Sequence, residues 1–343
     1  MVALTPAFVL SALSMVAFAA GPFDGSHRAR SHHQLARNVV PRSSFSLVAK
    51  YQGEDFTDES KWHYFKDKDP TNGNVEYVSQ AVAVSNKLVS VQSDNSTKIA
   101  VETGDLASGV NRKSVRISSV EKWSSGLLIA DFAAMPTGCG TWPAFWAVGD
   151  NWPNGGEIDI IEGVNLKDSN QLTLHAGSGS NCTTDTNPGL VNGVAPFLAN
   201  IGNLECLSSP ESNTGCTFFD NDPNSFGTGF NDVGGRVMAV LRDTRGIFMW
   251  SFSRADVPKD ITAGTPNPNN WSSPRAYWSS NTCDFDEHFG AQTIVLNTDV
   301  LGDWAKSDLA TSNCPVTDPT ALVATGSHWE NAFWKVNYIA MYD

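Results

Sequence analysis

Hydrophobic and polar positions alternate in short runs along this chain. No segment after residue 44 keeps the helical period of about 3.6 residues over a long stretch. Nine runs, set apart by Gly, Asn, Asp and Pro, have the pattern of strands: 75–84, 87–93, 114–120, 126–135, 171–177, 236–243, 246–254, 292–300 and 333–343. Many short strands at this spacing predict an all-β sandwich or barrel, and DTRG at 243–246 predicts a hairpin turn.

Two longer stretches are predicted to be loops. Residues 178–235 are rich in Ser, Asn, Gly and Thr and hold three Cys, whereas residues 255–282 are rich in Pro and Asn. Loops of this length are tolerable when disulfide bonds tie them down. We find no internal repeat and no linker beyond the leader, so residues 44–343 are predicted to form one domain.

The beginning of the chain has a different character. The apolar run FVLSALSMVAFA, with an A-x-A pattern at Ala17–Ala19, predicts that residues 1–20 are a secretory signal peptide. Residues 21–43 are predicted to be a pro-segment or disordered leader, trimmed near Arg42. The protein is therefore expected to be secreted and extracellular.

Composition and charge narrow the range of partners. Hydrophobic residues make up 41% and charged residues 17%, which is typical of a globular protein. Without residues 1–42 the chain holds 19 basic and 35 acidic residues, a net charge of −16. This charge argues against a nucleic acid or an anionic membrane as partner. We expect a monomer that acts on a neutral ligand.

The cysteines predict a disulfide framework. The chain has six Cys, an even number, and in a secreted protein three disulfides are expected among 15 possible connectivities. No CxxC pair occurs, which argues against a zinc site. Acceptor sequences for N-glycosylation occur at Asn95, Asn181 and Asn270.

The stretch GGEIDIIEGVN places three carboxylates in an apolar strand. Glu157 and Asp159 share a strand face, but Glu162 has the opposite parity. Glu162 joins that face only if a β-bulge absorbs Ile160 or Ile161, and bulges are frequent beside active sites. The alternative is a solvated, charged strand face, which does not explain why like charges are packed together.

Two glutamates on one face suit sugar chemistry. With carboxyl groups about 5 Å apart, one attacks the sugar and the other protonates the leaving oxygen, as in a retaining glycosidase. Asp159 can hydrogen-bond the nucleophile and hold the two pKa values apart. Just upstream, Trp142 and Trp146 share one strand face and Trp152 follows, and such rings either stack on sugars or pack in a core.

The sequence WPAFWAVGDNWPNGGEIDIIEGVN, followed by NQLTLHAG, resembles glycoside hydrolase family 16, specifically the fungal secreted endo-β-1,3(4)-glucanases of laminarinase type. The family signature E-I-D-I-x-E lies at 157–162. Five further stretches resemble the family, so the likeness covers 45–343: DPTNGNVEYVS, SVRISS, MPTGCGTWPAFW, SFGTGFNDVGG and LGDWA.

The resemblance implies a β-jelly-roll of two curved antiparallel sheets, with a sugar cleft on the concave face, and a double displacement with retention. It implies that Glu157 is the nucleophile, Asp159 its supporting acid and Glu162 the general acid/base. It places the following residues in the cleft: His175 close to the acid/base, Trp146 and Trp152 on the glycone side, Trp304 on the other flank, and Trp142, which is alternatively a core residue.

The chain departs from the family in two places. VLGDWAK stands where the family usually has FCGDWAG, so that Leu301 occupies a frequent Cys position, and VMAVLRD replaces the common YAMEW strand. We pair Cys283 with Cys314, which flank the Trp304 region, and Cys206 with Cys216.

The leading hypothesis is an endo-glucanase that cleaves β-1,3 bonds, or β-1,4 bonds next to a β-1,3 unit, with an acidic pH optimum. A family-16 transglycosylase is the first alternative, although such relatives typically have a tighter E-x-D-x-E spacing and a membrane-anchor tail. A non-catalytic jelly-roll lectin is the second, but it has no need of both glutamates. The chemistry requires no metal and no cofactor, and the expected partner is a β-glucan.

Overall fold

Two antiparallel sheets of eight strands each form the framework of the protein. The computed structural model describes residues 44–343 except 210 and 317. The predicted signal peptide and leader lie outside the described residues. The strands in chain order are β1 (Leu47–Tyr51), β2 (Trp62–Tyr64), β3 (Val75–Tyr77), β4 (Val89–Val91), β5 (Thr97–Ala100), β6 (Arg112–Ser114), β7 (Arg116–Trp123), β8 (Gly126–Ala134), β9 (Thr141–Val148), β10 (Glu157–Glu162), β11 (Asn170–His175), β12 (Asn200–Ile201), β13 (Cys216–Asp220), β14 (Arg236–Asp243), β15 (Gly246–Ser253), β16 (Ala276–Ser279), β17 (Gln292–Val300) and β18 (Phe333–Tyr342).

The carboxylate strand β10 lies in the middle of one sheet, here called the inner sheet. Its strand order is β12-β13-β11-β10-β9-β17-β7-β2. The outer sheet has the order β16-β15-β14-β8-β18-β5-β4, with β1 also paired to β18. Strands β3 and β6 form a small parallel pair. The sequence left a sandwich and a barrel open, and the structure is the two-sheet jelly-roll sandwich that the family resemblance implied.

The helices among the described residues are short. The α-helices are α1 (Gln80–Ser85), α2 (Gly227–Asp232), α3 (Lys259–Thr262), α4 (Phe285–His288), α5 (Asp303–Asp308) and α6 (Pro319–Ala324). Three 3₁₀ helices span Gly53–Thr57, Pro268–Asn270 and Gly326–Trp329. None of the described helices has the length and apolar character needed to cross a membrane.

The main core lies between the two sheets. Strand alternation sends one set of side chains inward, and Phe145 of β9 meets Phe132 of β8 edge to face, with ring centroids 5.0 Å apart. A second apolar cluster covers the outer sheet, where Trp271 packs edge to face on Trp250 at 5.2 Å. Trp271 belongs to the predicted loop 255–282, which therefore covers this sheet instead of standing free in solvent.

Most predicted strands are present, with two corrections. The hairpin at 243–246 is confirmed, since Asp243 pairs with Gly246, whose φ of +140° suits glycine. The strand predicted over 75–84 ends at Tyr77, and α1 follows, because Ser79 begins a helical turn that buries only Ala83. The predicted loops also contain β12, β13, α2, α3 and β16.

The disulfides correct one predicted pair. Cys206–Cys216 is confirmed, and the pairing of Cys283 with Cys314 is wrong. Cys283 instead bonds Cys182, because the two residues lie opposite each other in an antiparallel bridge. Cys314 bonds Cys139, 175 residues earlier in the chain. Spacing along the chain cannot reveal such a contact, because it depends on how the sandwich closes.

Candidate active site

The carboxylate strand β10 carries a β-bulge at Ile160. Strand β9 pairs in register with Asp159 and then with Ile161, and it skips Ile160. The partners of Asp159 and Glu162 on β9 are two residues apart, so these two acids share one face. Glu157 lies on the same face by simple alternation. The bulge expected from the acid spacing is confirmed, and Ile160 is the extra residue.

Asn170, the first residue of β11, occupies the gap that the bulge opens. Its Nδ2 donates to the Ile160 carbonyl at 2.9 Å, and its Oδ1 accepts from the Glu162 backbone N–H at 2.9 Å. Its own backbone N–H donates to Ser225 Oγ at 3.0 Å. A bulge leaves backbone groups unpaired, and buried unpaired groups cost free energy. Asn170 supplies both missing partners and so fixes the backbone that carries Glu162.

His175 faces the first two acids from the neighbouring strand β11, where it pairs with Glu157. Its Nε2 lies 3.4 Å from Asp159 Oδ2 and 4.0 Å from Glu157 Oε1. Asp159 is 1% exposed, and its Oδ2 has no hydrogen-bond partner among the described residues. A buried, unpaired carboxylate oxygen is costly, so His175 is the group placed to relieve it.

The other side of the His175 ring indicates where protons reside. Its Nδ1 lies 3.0 Å from Ser208 Oγ, and that hydroxyl donates to the Cys206 carbonyl at 3.3 Å. Because the single hydroxyl proton of Ser208 points to that carbonyl, the hydrogen bond with His175 requires that Nδ1–H donates to Ser208 Oγ. The contact between Nε2 and Asp159 Oδ2 therefore requires one proton, on the ring or on the carboxyl group.

Burial raises the pKa of all three carboxyl groups, in each case to about 8. For Glu157 the charge of Asp159 adds to the effect of burial, whereas His175 and Arg116 oppose it. For Glu162 the charge of Asp159 again adds to burial, the Trp142 hydrogen bond and His175 oppose it, and Arg116 does not contribute. Each proton lost makes the next loss harder in such a cluster. Arg116 is therefore the charge that distinguishes the two glutamates, because it favours the ionised form of Glu157 alone.

Glu162, the last residue of β10, is held by Trp142, which in turn packs against Trp304. Trp142 Nε1 donates to Glu162 Oε1 at 3.0 Å. Trp304, at the start of α5, meets Trp142 edge to face with centroids 5.4 Å apart. The hydrogen bond stabilises the carboxylate and so lowers the pKa of Glu162, against the larger raising effect of burial. Trp142 is thus a cleft residue that orients Glu162, and the alternative of a core residue is not needed.

Trp146, also on β9, pairs with Asp159 and lies beside the carboxylates. Its Nε1 donates to Asn297 Oδ1 at 2.8 Å, and the Arg116 guanidinium lies 5.1 Å from its ring centroid. These contacts fix the plane of the ring. Trp152 lies in the connection between β9 and β10 and is 37% exposed.

One cavity of about 870 Å³ brings all of these groups together. Every residue predicted for the site lines it: Trp142, Trp146, Trp152, Glu157, Asp159, Glu162, His175 and Trp304. Arg116, Gln171, Asn297 and Asp299 line it as well. The chemical roles assigned to these residues remain predictions, whereas their proximity is a feature of the structure.

Three residues that help to shape the site escaped the sequence analysis: Asn170, Ser208 and Asn297. Each acts through a hydrogen bond to a predicted site residue or to its backbone. Asn170 stands at the start of NQLTLHAG, where an Asn is equally typical of a turn. Ser208 lies in the Cys-rich segment, and only the fold brings it to His175.

Three residues of this cluster have the spacing of cation ligands. Ligand atoms of Glu157, Asp159 and His175 all lie within 4.8 Å of one another. A cation there would compete for the oxygens of Glu157 that are predicted to attack the sugar. A second group, Cys182, Cys283 and His288, cannot supply thiolates because its cysteines form a disulfide.

Comparison with known proteins agrees with this geometry. The family described as "XgeA-like, catalytic GH16 domain" matches residues 62–342. A probable glycosidase of Schizosaccharomyces pombe, C21B10.07, is 37% identical over 317 residues, which are 91% of this chain and 73% of that protein. The endo-1,3(4)-beta-glucanase xgeA of Emericella nidulans is 36% identical over 311 residues. Those residues are 88% of this chain but only 47% of that relative, so the chain spans about half its length.

Solved structures show the same fold. Laminarinase 16A of Phanerochaete chrysosporium, described with 6-O-glucosyl-laminaritriose in its donor and acceptor sites, superposes with a TM-score of 0.80 at 34% identity. An elongating family-16 beta-1,3-glucosyltransferase superposes with a TM-score of 0.79 at 36% identity. Each likeness covers 88% of this chain and 100% of the other. A family match over 62–342 and a bulged strand with three acids in an aromatic cleft lead to one conclusion: the chain belongs to glycoside hydrolase family 16, in its XgeA-like group.

Proposed function

We propose that the protein is a retaining endo-β-glucanase that hydrolyses β-1,3 bonds, and β-1,4 bonds next to a β-1,3 unit. The observation that carries the proposal is the bulge at Ile160, which turns Glu162 to the face of Glu157 inside an aromatic-lined cleft. Relatives named endo-1,3(4)-beta-glucanase and laminarinase support the substrate class.

In the proposed reaction, the Glu157 carboxylate attacks the anomeric carbon while Glu162 gives its proton to the leaving glycosidic oxygen. A covalent glycosyl-enzyme forms. Glu162, now a carboxylate, takes a proton from water, and the water releases the sugar from Glu157 with net retention. Asp159 and His175 lie beside the nucleophile, and the positive charge of Arg116 favours its ionised form.

We also propose a secreted monomer. The three disulfides support an oxidising compartment, and exposed Asn residues at the three N-glycosylation sequences are compatible with glycans. These points are independent of the catalytic assignment. Mass spectrometry of the culture-medium protein, before and after glycan removal, tests them together with the cleavage site near residue 43.

Release of reducing sugar from laminarin and lichenan tests the catalytic assignment. Wild type should release sugar from both, and Glu157→Gln and Glu162→Gln should lose nearly all activity. Equal release by all three proteins would contradict the assignment. Binding without release by wild type would favour the lectin.

Azide separates the two glutamates. It should rescue Glu162→Ala on an activated aryl glycoside and give a β-glycosyl azide, because the nucleophile is intact. Rescue of Glu157→Ala should instead give the α-azide. The reverse pattern would exchange the two roles.

A glucan transglycosylase is the second candidate. A structural relative at 36% identity is named as an elongating beta-1,3-glucosyltransferase, and its covalent intermediate would be the same. Products longer than the substrate would favour transfer, if they form from laminari-oligosaccharides while little of the substrate has been consumed. Shorter products alone would favour hydrolysis.

A further inference from the structure

Phe219 is an exposed aromatic residue on the cleft face of the inner sheet. It is 42% exposed, although its neighbour Phe218 is fully buried in the main core. Strand alternation therefore places Phe219 on the face opposite to the core, the face that carries the carboxylates. A Cβ built on Gly202 would lie 2.6 Å from a Phe219 ring carbon, so the ring rests against this glycine.

The ring does not stand alone, because two amides flank it in register. Gln171 of β11 and Asn200 of β12 are both direct partners of Phe219 across the antiparallel ladders. Directly opposed residues lie on one face with neighbouring side chains. Asn200 is exposed, and its amide makes no hydrogen bond within residues 44–343 as described. Gln171, Phe219 and Asn200, here called the amide–aromatic row, thus offer one apolar face between two hydrogen-bonding groups.

This row continues the catalytic cleft. Gln171 lines the cavity together with Glu162, and Phe219 lies on the next strand outward. Strand β13 is two strand spacings from β10, about 10 Å. That distance is too great for the sugar attached at the scissile oxygen and suits a sugar farther along the chain.

We propose that the amide–aromatic row is a glucan subsite on the aglycone side, in which Phe219 stacks on a sugar ring and the two amides bind its hydroxyls. An aromatic ring between polar groups matches the amphipathic surface of a pyranose. The proposal rests on the proposed function and on the family resemblance, which implies that Trp146 of β9, across β10 from the row, lies against the glycone. The row then binds the leaving chain in hydrolysis and the acceptor in transfer.

The test compares two substrates in Phe219→Ala, Phe219→Tyr and wild type. Laminarihexaose can reach the row, whereas 4-nitrophenyl β-laminaritrioside has no sugar beyond the bond that is cleaved. In Phe219→Ala the ratio of kcat/KM on the hexasaccharide to kcat/KM on the aryl substrate should fall about tenfold. Phe219→Tyr keeps the ring and should restore the ratio. Phe333→Ala removes a partly buried ring on the outer sheet and should leave the ratio at its wild-type value.

Transfer gives a second readout. With added laminaribiose or laminaritriose as acceptor, Phe219→Ala should form less transfer product than wild type at equal turnover. An unchanged substrate ratio together with unchanged transfer would overturn the proposal. An equal loss on both substrates would also overturn it, because it would indicate a general structural effect.

Binding separates this proposal from the proposed function. Laminarihexaose can be titrated by calorimetry into Glu157→Gln with and without Phe219→Ala. Weaker binding in the double variant supports the row even if wild type releases no sugar, in which case only the catalytic proposal fails. Equal binding overturns the row whether or not the enzyme is active.

Discussion

The side-chain oxygen of Asn170 accepts a hydrogen bond from the backbone N–H of Glu162 at 2.9 Å. The amide nitrogen of the same side chain donates to the Ile160 carbonyl, also at 2.9 Å. One buried amide therefore satisfies both sides of the bulge. The orientation of the predicted general acid depends on a residue that never contacts the sugar.

Replacing Asn170 with alanine should reduce kcat more than it changes KM. The bulge loses two bonds, and a small displacement of Glu162 is costly for proton transfer, so we expect a loss of about 100-fold in kcat. Two buried backbone groups left unpaired should also lower the free energy of unfolding by about 1–3 kcal/mol. Steady-state kinetics and urea unfolding measure the two effects.

A matched control separates position from stability. Asn337 on β18 donates to Asp131 at 2.9 Å and lies on the outer sheet. Asn337→Ala should affect unfolding but leave kcat near the wild-type value. If Asn170→Ala kept wild-type kcat below its unfolding midpoint, Asn170 would have no positioning role.

The pH profile should report the proton on Glu162. Burial, and then the charge of Asp159, raise the pKa of Glu162 to about 8, and the group must be protonated to act as an acid. Cleavage of laminarin should therefore decline as pH rises through about 8. The acidic optimum expected from the sequence requires Glu157 to ionise below Glu162, and Arg116 acts in that direction because it lowers the pKa of Glu157 alone. A rate that still rises above this pH would contradict the assignment.

A substrate whose leaving group needs no proton also tests whether Glu162 is the general acid. Dinitrophenolate leaves without protonation, so Glu162→Gln should retain formation of the glycosyl-enzyme from a 2,4-dinitrophenyl glycoside. The alkaline decline of this step should be absent in the variant. Rapid-mixing measurement of the phenolate burst gives the rate at each pH.

Removal of the Trp142 indole N–H should move the decline of kcat/KM at high pH to a higher pH. Trp142 Nε1 donates to Glu162 and stabilises the carboxylate, so it lowers the pKa of that group. In Trp142→Phe the ring can still pack on Trp304, but the hydrogen bond is lost. The pKa of Glu162 should rise, and the decline of kcat/KM should move to higher pH. A shift toward lower pH would mean that lost packing outweighs the lost bond.

The strands that the sequence predicts well are apolar runs bounded by turn residues. β14 and β15 are strongly apolar and joined by a tight turn, so local pattern and final structure agree. The bulge in β10 is also readable, because Glu162 has the wrong parity for a regular strand. In both cases the information lies within a few residues of the feature.

The features that the sequence hides depend on distant partners. β13 is short and lies in a polar, Cys-rich segment, and its pairing with β11 places it in the sheet. Cys139 meets Cys314 only when the sandwich closes. Asn170 is informative only once the bulge beside it is known. Local propensity is too weak to specify contacts of this kind.

Asp299 is a buried carboxyl group apart from the three acids of β10, and it is expected to hold a proton. Thr71 Oγ1 lies 2.7 Å from Asp299 Oδ2 and 2.7 Å from Asp69 Oδ2. A hydroxyl has one proton to donate, so the second contact requires a proton on a carboxyl group. Burial, and then the charge of Asp69, raise the pKa of Asp299 to about 7. Asp299 is only 2% exposed and is the acid expected to hold the proton.

This proton makes stability depend on pH with a definite sign. In the unfolded chain Asp ionises at about pH 3.9, so between that value and about 7 the native state binds more protons. Stability therefore falls as pH rises through this window. Asparagine at this position stays neutral and can donate to Thr71. Asp299→Asn should thus exceed wild type in the free energy of unfolding at pH 8 by about 2–4 kcal/mol, and should match it near pH 4.

Urea unfolding of both proteins at pH 4, 6 and 8 checks this expectation. The catalytic carboxyls also titrate on unfolding, but they are present in both proteins and cancel in the difference. Asp303→Asn is the matched control, because Asp303 lines the same wall of the cleft and is exposed. The Asp299→Asn difference should grow with pH by more than the Asp303→Asn difference. If the two differences followed the same course with pH, Asp299 would not hold the proton.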